Sequence, residues 1–371
     1  MIRRILAFSG MSISIALAQT PAPKPATSPA AKPAQAAAKP ATTAAAGKYV
    51  PPKTAWGEPD LQGIWPLNHL IAVPLQRQKQ YGDRLYLTED EVAKAKTNLE
   101  ARNKRFESGP IPQADTSKTV MKQTSLISFP ENGQFPELTP YGKEVQSHME
   151  SSYKPGKTVY DSIEDFAAWD RCITRGMPVS MEPRNYNNGI RIMQSPGYVV
   201  ILLEMAHEAR VIPTRPTPAL DDNIREWMGE SRGHWEGNTL VVETANFNGL
   251  VGATSAGVPG SPGPLQPETP DMKIEERFTR VSPTEIDFKM TITDPKVLAS
   301  GHYTVEYPTF LDNSYEMFEY ACHEGNTAVR NYIQTSRYER EHPKPPSETP
   351  ARGGRGGRAG RGGAPQQTPQ E

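Results

Sequence analysis

Only two cysteines, Cys172 and Cys322, occur in 371 residues, so a multi-cysteine zinc site or a dense disulfide scaffold is excluded. Beyond residue 18 there is no long apolar run, and no membrane span is expected there. The formal net charge of -1 supplies no global field, which argues against nucleic acid or an anionic membrane as the main partner. A Gly-x-Ser-x-Gly elbow is absent, because "MQSPG" sets Ser195 before a Pro-Gly turn where the elbow's helix would begin. His207-Glu208 and His323-Glu324 resemble the start of a zinc-protease helix, but Val211 and Thr327 stand where the second histidine is required. No Gly-rich loop precedes a helix to cradle phosphate, and no cofactor is expected.

What is present begins with Arg3 and Arg4 ahead of an apolar run from Ile5 to Ala18 that ends in Ala16-Leu17-Ala18. This is the pattern of a secretory signal peptide over 1–18, with cleavage expected before Gln19. The run falls short of the roughly 20 residues a membrane anchor needs. No cysteine follows the cleavage point, so a lipoprotein is not indicated. Residues 19–52 are rich in Pro, Ala and Lys and read as a disordered linker, since they offer too little apolar surface to offset ordering entropy. The tail 342–371 is low in complexity; Arg352, Arg355, Arg358 and Arg361 lack interleaved aromatics, which favours a flexible solubilising tail over an RNA-binding one. The expected location is periplasmic or extracellular. In that oxidising setting Cys172 and Cys322 read as a disulfide. The competing reading, a catalytic Cys322 thiol beside His323, suffers because neighbouring strand residues point to opposite faces.

About 290 residues remain between Lys53 and His342. From 53 to 187 the chain reads as a helical and irregular wrap. Thr88 and Glu91 form a capping box for a polar surface helix, Thr139-Pro140 starts a second, and Ser162 caps a third over "SIEDFAAWDRCI". From 188 to 341 it reads as an antiparallel β domain. Strands are expected at "GIRIMQS", "GYVVILLEM", "ARVIPT", "KIEERFTRV", "EIDFKMTIT", "HYTVEYPTF" and "YEMFEYAC", with a capped helix at "LDDNIREWMG". In "EIDFKMTIT", Ile286, Phe288, Met290 and Ile292 share one face against Asp287, Lys289, Thr291 and Thr293 on the other. The fold class is therefore mainly β: an antiparallel meander of about 8–9 strands forming a barrel or curled sheet. Within "SRGHWEGNTLVVETANF" a turn at Gly237-Asn238 sets Glu236 opposite Thr239, Trp235 opposite Leu240, His234 opposite Val241 and Arg232 opposite Glu243. Arg232 and Glu243 are expected to form a cross-strand ion pair.

The motifs "PDLQGIW", "RCITRGMP", "YNNGIRIMQSPGYVVILLEM", "SRGHWEGNTLVVETANF", "ERFTRV" and "FEYACHEGN" together resemble a family of exported bacterial proteins of unassigned function, over roughly residues 54 to 335. The resemblance supports export and implies that both cysteines are family features; it implies no reaction. Separately, Gly63-Ile64-Trp65 is similar to the Gly-x-Trp motif of lipocalin-type barrels, a hint of calycin-like architecture.

Binding is the most economical function: a small molecule or glycan held in a barrel mouth or sheet crevice. The candidates are Tyr186, Asn187 and Asn188 before the first long strand, Glu204 and His207 at a hairpin end, and His234 with Glu236 in the hairpin. His323, Glu324 and Asn326 follow the last strand, and Arg171 and Arg175 flank Cys172, where the disulfide would bring them near "CHEGN". Two alternatives stay open. One is a hydrolase using a metal held by His207, His234 and His323, or a carboxylate pair such as Glu236 and Glu243. The other is a non-catalytic envelope scaffold.

Overall fold

The computed structural model describes residues 49–107, 119–152, 154, 156–184, 186–251 and 266–343. The expected signal peptide, most of the expected linker and the Arg/Gly-rich tail lie outside the described residues. Four short or capped elements come from the first half: strands β1 (Gly63–Ile64) and β2 (Ile127–Phe129) and helices α1 (Glu89–Glu107) and α2 (Pro140–His148). The capping box of α1 forms as its spacing predicts. The Glu91 amide donates to the Thr88 hydroxyl at 3.4 Å, and the Thr88 amide donates to the Glu91 carboxylate at 2.8 Å. Thr139 caps α2 by accepting from the Gly142 amide at 3.0 Å.

Eight further strands follow: β3 (Ile190–Ser195), β4 (Tyr198–Leu203), β5 (Ala209–Pro213), β6 (Glu230–Glu236), β7 (Thr239–Ala245), β8 (Lys273–Ser282), β9 (Glu285–Thr293) and β10 (His302–Phe310). They do not close into a barrel. A four-stranded antiparallel sheet runs β1-β3-β4-β5 and a six-stranded one runs β2-β10-β9-β8-β7-β6. The fold is thus mainly β and antiparallel, with the hydrogen-bonded meander broken between β5 and β6. Those two strands lie side by side without a paired register. They come close at Gly233 of β6, where a Cβ would sit 3.1 Å from Ile212 of β5 and 3.2 Å from Thr214 just after it.

Period-two alternation builds the core between the sheets. Val199, Ile201 and Leu203 of β4 and Ile212 of β5 face Leu240, Val242, Phe278, Phe288 and Met290 of the larger sheet in one buried cluster. Trp65, directly after β1, is fully buried and its indole N–H donates to the Leu61 carbonyl at 2.9 Å. One ion pair also lies in this core: Arg210 of β5 donates to Glu276 of β8, with Nη1 to Oε1 at 2.9 Å.

Local patterns misled at three places and were silent at a fourth. "YEMFEYAC" alternates like a strand, yet residues 315–320 have no regular structure, because this segment is drawn off toward Glu204 and Cys172. "LDDNIREWMG" is a turn: Glu226 spends its backbone on Asn246 and Asn248, bonds that a helix would need for itself. The Ser162 start makes only a single turn at Ile163–Asp165, capped from both sides. Helix α3 (Ala328–Glu341) was not anticipated; it is polar on most faces and buries only Ser336, whose hydroxyl accepts from the Tyr160 amide at 2.9 Å. Among the described residues no helix is long and apolar enough to cross a membrane.

One buried carboxylate, that of Glu268, is 3 % exposed and has both oxygens unpartnered among the described residues. Burial pushes this carboxyl well above the usual range. The folded chain therefore keeps its proton after the unfolded chain has released it. Stability is full below the ordinary carboxyl range and falls as pH rises, by about 1.4 kcal/mol per unit, until the raised folded value is reached. Urea titrations from about pH 5 to about pH 8 are expected to show this fall. Glu268→Gln, which carries no titrating proton, is expected to flatten it and to be the more stable protein at neutral pH. Parallel profiles for the two proteins would rule the assignment out.

Candidate functional site

The disulfide gathers the site. Cys172 and Cys322 are bonded, with Cα atoms 5.7 Å apart across 150 residues of sequence, as the export reading predicts. Cys172 sits in a tight turn whose Ile173 amide donates to the Ala168 carbonyl. Asn326, just past Cys322, donates from Nδ2 to the Asp170 carbonyl at 3.0 Å, so the two segments are also joined by a polar contact. Between them opens a groove of about 820 Å³, walled by Phe166, Trp169, Tyr186, Tyr320 and Tyr332. That volume suits a small organic ligand.

The rings are arranged rather than merely crowded. Tyr186 and Tyr320 are parallel to within 3°, with centroids 6.2 Å apart and hydroxyls 3.5 Å apart. Trp169 lies 5.7 Å from Tyr320 at 39°, and Tyr332 meets Phe166 edge-on at 6.0 Å. Arg175 places its guanidinium 4.0 Å from the Trp169 ring centroid. Asp170 shapes the floor by accepting from the Ser152 amide and hydroxyl, the Ala167 amide and the Ser151 hydroxyl, at 2.5 to 3.3 Å.

Glu204 holds the adjoining wall. Its carboxylate accepts from Asn187 Nδ2 at 3.0 Å and the Gly189 amide at 2.8 Å on one side. On the other it accepts from the Tyr315 hydroxyl at 2.7 Å and the Phe318 amide at 2.9 Å. One buried carboxylate thus ties the turn carrying Tyr186 to the segment carrying Tyr320. Gly189 is required by proximity: a Cβ there would lie 2.8 Å from Glu204 Oε2 and 2.9 Å from Tyr315. Behind this wall Glu182 and Arg184 form a buried ion pair at 3.3 Å. Burial raises the Glu182 carboxyl against the opposing charges of Arg184 and Arg175. A cavity of about 20 Å³ beside them has room for a water molecule.

Of the residues singled out from sequence, Tyr186 and Asn326 line the groove, while Arg175, Asn187, Asn188 and Glu204 line the small cavity next to it. Asn188 is structural, accepting from the Arg184 amide at 2.6 Å. Arg171 lines neither the groove nor the small cavity. His323 and Glu324 are exposed on the loop after Cys322. His207 is exposed at the β4–β5 corner, where Ala206 and His207 both adopt positive φ.

His234 and Glu236 face solvent on the outside of the six-stranded sheet, each about half exposed and 3.3 Å apart. The hairpin register is the expected one, but its ion pairs differ. Arg277 of β8 bonds Glu236 and, ahead of His234, lowers its carboxyl. Arg232 pairs with Glu230, with Nε 2.8 Å from Oε1, and bonds the Thr217 and Pro218 carbonyls, leaving Glu243 exposed. Among the described residues no group of three or more His, Cys, Asp or Glu is placed to hold a metal, so the site built from His207, His234 and His323 does not form. The three lie on a strand corner, an outer sheet face and a C-terminal loop.

The groove residues that sequence reasoning passed over are Phe166, Trp169, Asp170, Glu319, Tyr320 and Tyr332. A signal was available: Trp169 precedes Cys172 by three positions and Tyr320 precedes Cys322 by two, so the predicted disulfide already placed both rings together. No protein-family model, curated protein or solved structure matches the chain.

Proposed function

We propose that this protein is an exported binding protein that holds a small molecule or glycan in the aromatic groove beside the Cys172–Cys322 disulfide. The single observation that carries it is a groove of about 820 Å³ lined by five aromatic side chains, two of them left substantially exposed. Tyr186 is 43 % and Tyr332 45 % exposed; an aromatic surface of this kind, rimmed by polar groups, stays wet at a cost unless something covers it. Export is supported by the disulfide and the signal-like N-terminus, and by the resemblance to exported bacterial proteins. We read the two sheets as a curled, opened barrel, parted between β5 and β6, with the groove built outside it by the segments that the disulfide joins.

A screen of saccharides and small organic ions by saturation-transfer NMR, followed by tryptophan fluorescence, tests the proposal. Binding compounds are expected to change the fluorescence of Trp169 and to lose about tenfold or more in affinity on Tyr320→Ala, which removes one stacking face. Compounds that bind Tyr320→Ala as tightly as the native chain would place the site elsewhere; a screen with no binders would count against the function itself.

A further inference from the structure

We infer that the groove takes an organic ammonium ion, a quaternary ammonium or a protonated amine, rather than a neutral sugar or an anion. This rests on the groove being a binding site and adds the charge of its ligand. Among the described residues, the charged side chains in its wall are Asp170 and Glu319, both acidic. Asp170 accepts from four donors of Ser151, Ser152 and Ala167. Glu319 is exposed at the wall and has no ion pair among the described residues.

Arg175 has its guanidinium over the Trp169 ring. Arg175 also shows what these rings attract. Its guanidinium lies 4.0 Å from the Trp169 centroid, well inside the roughly 6 Å over which a cation is drawn to a π face. Tyr186, Tyr320 and Tyr332 add electron-rich rings to the lining of the same space. Rings alone would serve a sugar equally well, and carboxylates alone would serve any cation. Rings and carboxylates together match a cation with an apolar coat, which gains from the π faces and from the acidic wall at once. An anionic ligand would be repelled by both.

Isothermal titration of the disulfide-intact full chain with choline, its uncharged tert-butyl isostere and maltose tests the assignment. Choline is expected to bind about tenfold more tightly than the isostere, since the two differ only in charge. Glu319→Gln, at an exposed position, is expected to weaken choline about threefold and to leave the isostere unchanged. Isostere or maltose binding as tight as choline, with the Tyr320→Ala sensitivity retained, overturns the ammonium assignment and leaves the groove as a binding site. No binding by any of the three in the groove, while other compounds bind there, also overturns it. No binding of any compound in the groove overturns the assignment and the proposed function together.

Discussion

Glu276→Gln is expected to lower the free energy of unfolding by about 3 to 5 kcal/mol, measured by urea denaturation at neutral pH. Glu276 is fully buried and Arg210 nearly so, between sheets whose facing residues are mostly apolar. The guanidinium is met from several sides: by both carboxylate oxygens, by Ser231 at 3.1 Å and by Thr244 at 3.3 Å. Removing the negative charge while keeping the shape leaves a guanidinium in the core with only neutral partners, and that uncompensated charge is what destabilises. The pair also joins β5 to β8, the two sheets between which no ladder runs at the β5–β6 break. The double variant Arg210→Met with Glu276→Leu is expected to recover most of the loss, because the apolar replacements no longer leave a charge behind. A loss below about 1 kcal/mol for Glu276→Gln would show that water reaches the pair and solvates the remaining cation.

Removing the disulfide by Cys172→Ser with Cys322→Ser is expected to cost about 3 to 5 kcal/mol. The loop it closes spans 150 residues, for which the chain-entropy model gives about 5 kcal/mol. Part of the native geometry should survive, since Glu204 still ties residues 315 and 318 to the Gly189 turn and Ser336 still holds Tyr160. The groove has fewer supports. Trp169 and Tyr320 are brought together by the crosslink and by Asn326, so ligand binding should fall along with stability. The same comparison is available without mutation, by unfolding the native chain with and without reductant. Equal midpoints in the two conditions would sink the prediction.

Much of the β framework was legible because burial on one face imposes a period of two. Ile286, Phe288, Met290 and Ile292 alternate in sequence and are all buried in the structure. The hairpin at Gly237-Asn238 was readable to the residue, since a two-residue turn determines register. The ion pairs on that hairpin were not readable. Arg232 stands opposite Glu243 yet bonds Glu230 and two carbonyls of the preceding loop, because a long side chain selects among every acceptor in reach and the loop path is a tertiary outcome. Residues 315–322 failed for a related reason. Their alternation is real, but the edge of β10 is already taken by β2, and Glu204 and Cys172 claim the segment's polar and covalent capacity.

The same division runs through the candidate site. The amino-acid sequence alone determined that its two cysteines should pair and that no familiar catalytic motif is present. Spacing and local backbone chemistry suffice for those statements. Only the tertiary structure decided that His234 and Glu236 face water, that Arg175 lies over the Trp169 ring, and that Trp169, Tyr186 and Tyr320 wall one groove. Those outcomes depend on which surfaces the crosslink and the buried Glu204 draw together across more than a hundred residues. No local pattern encodes a distance of that kind.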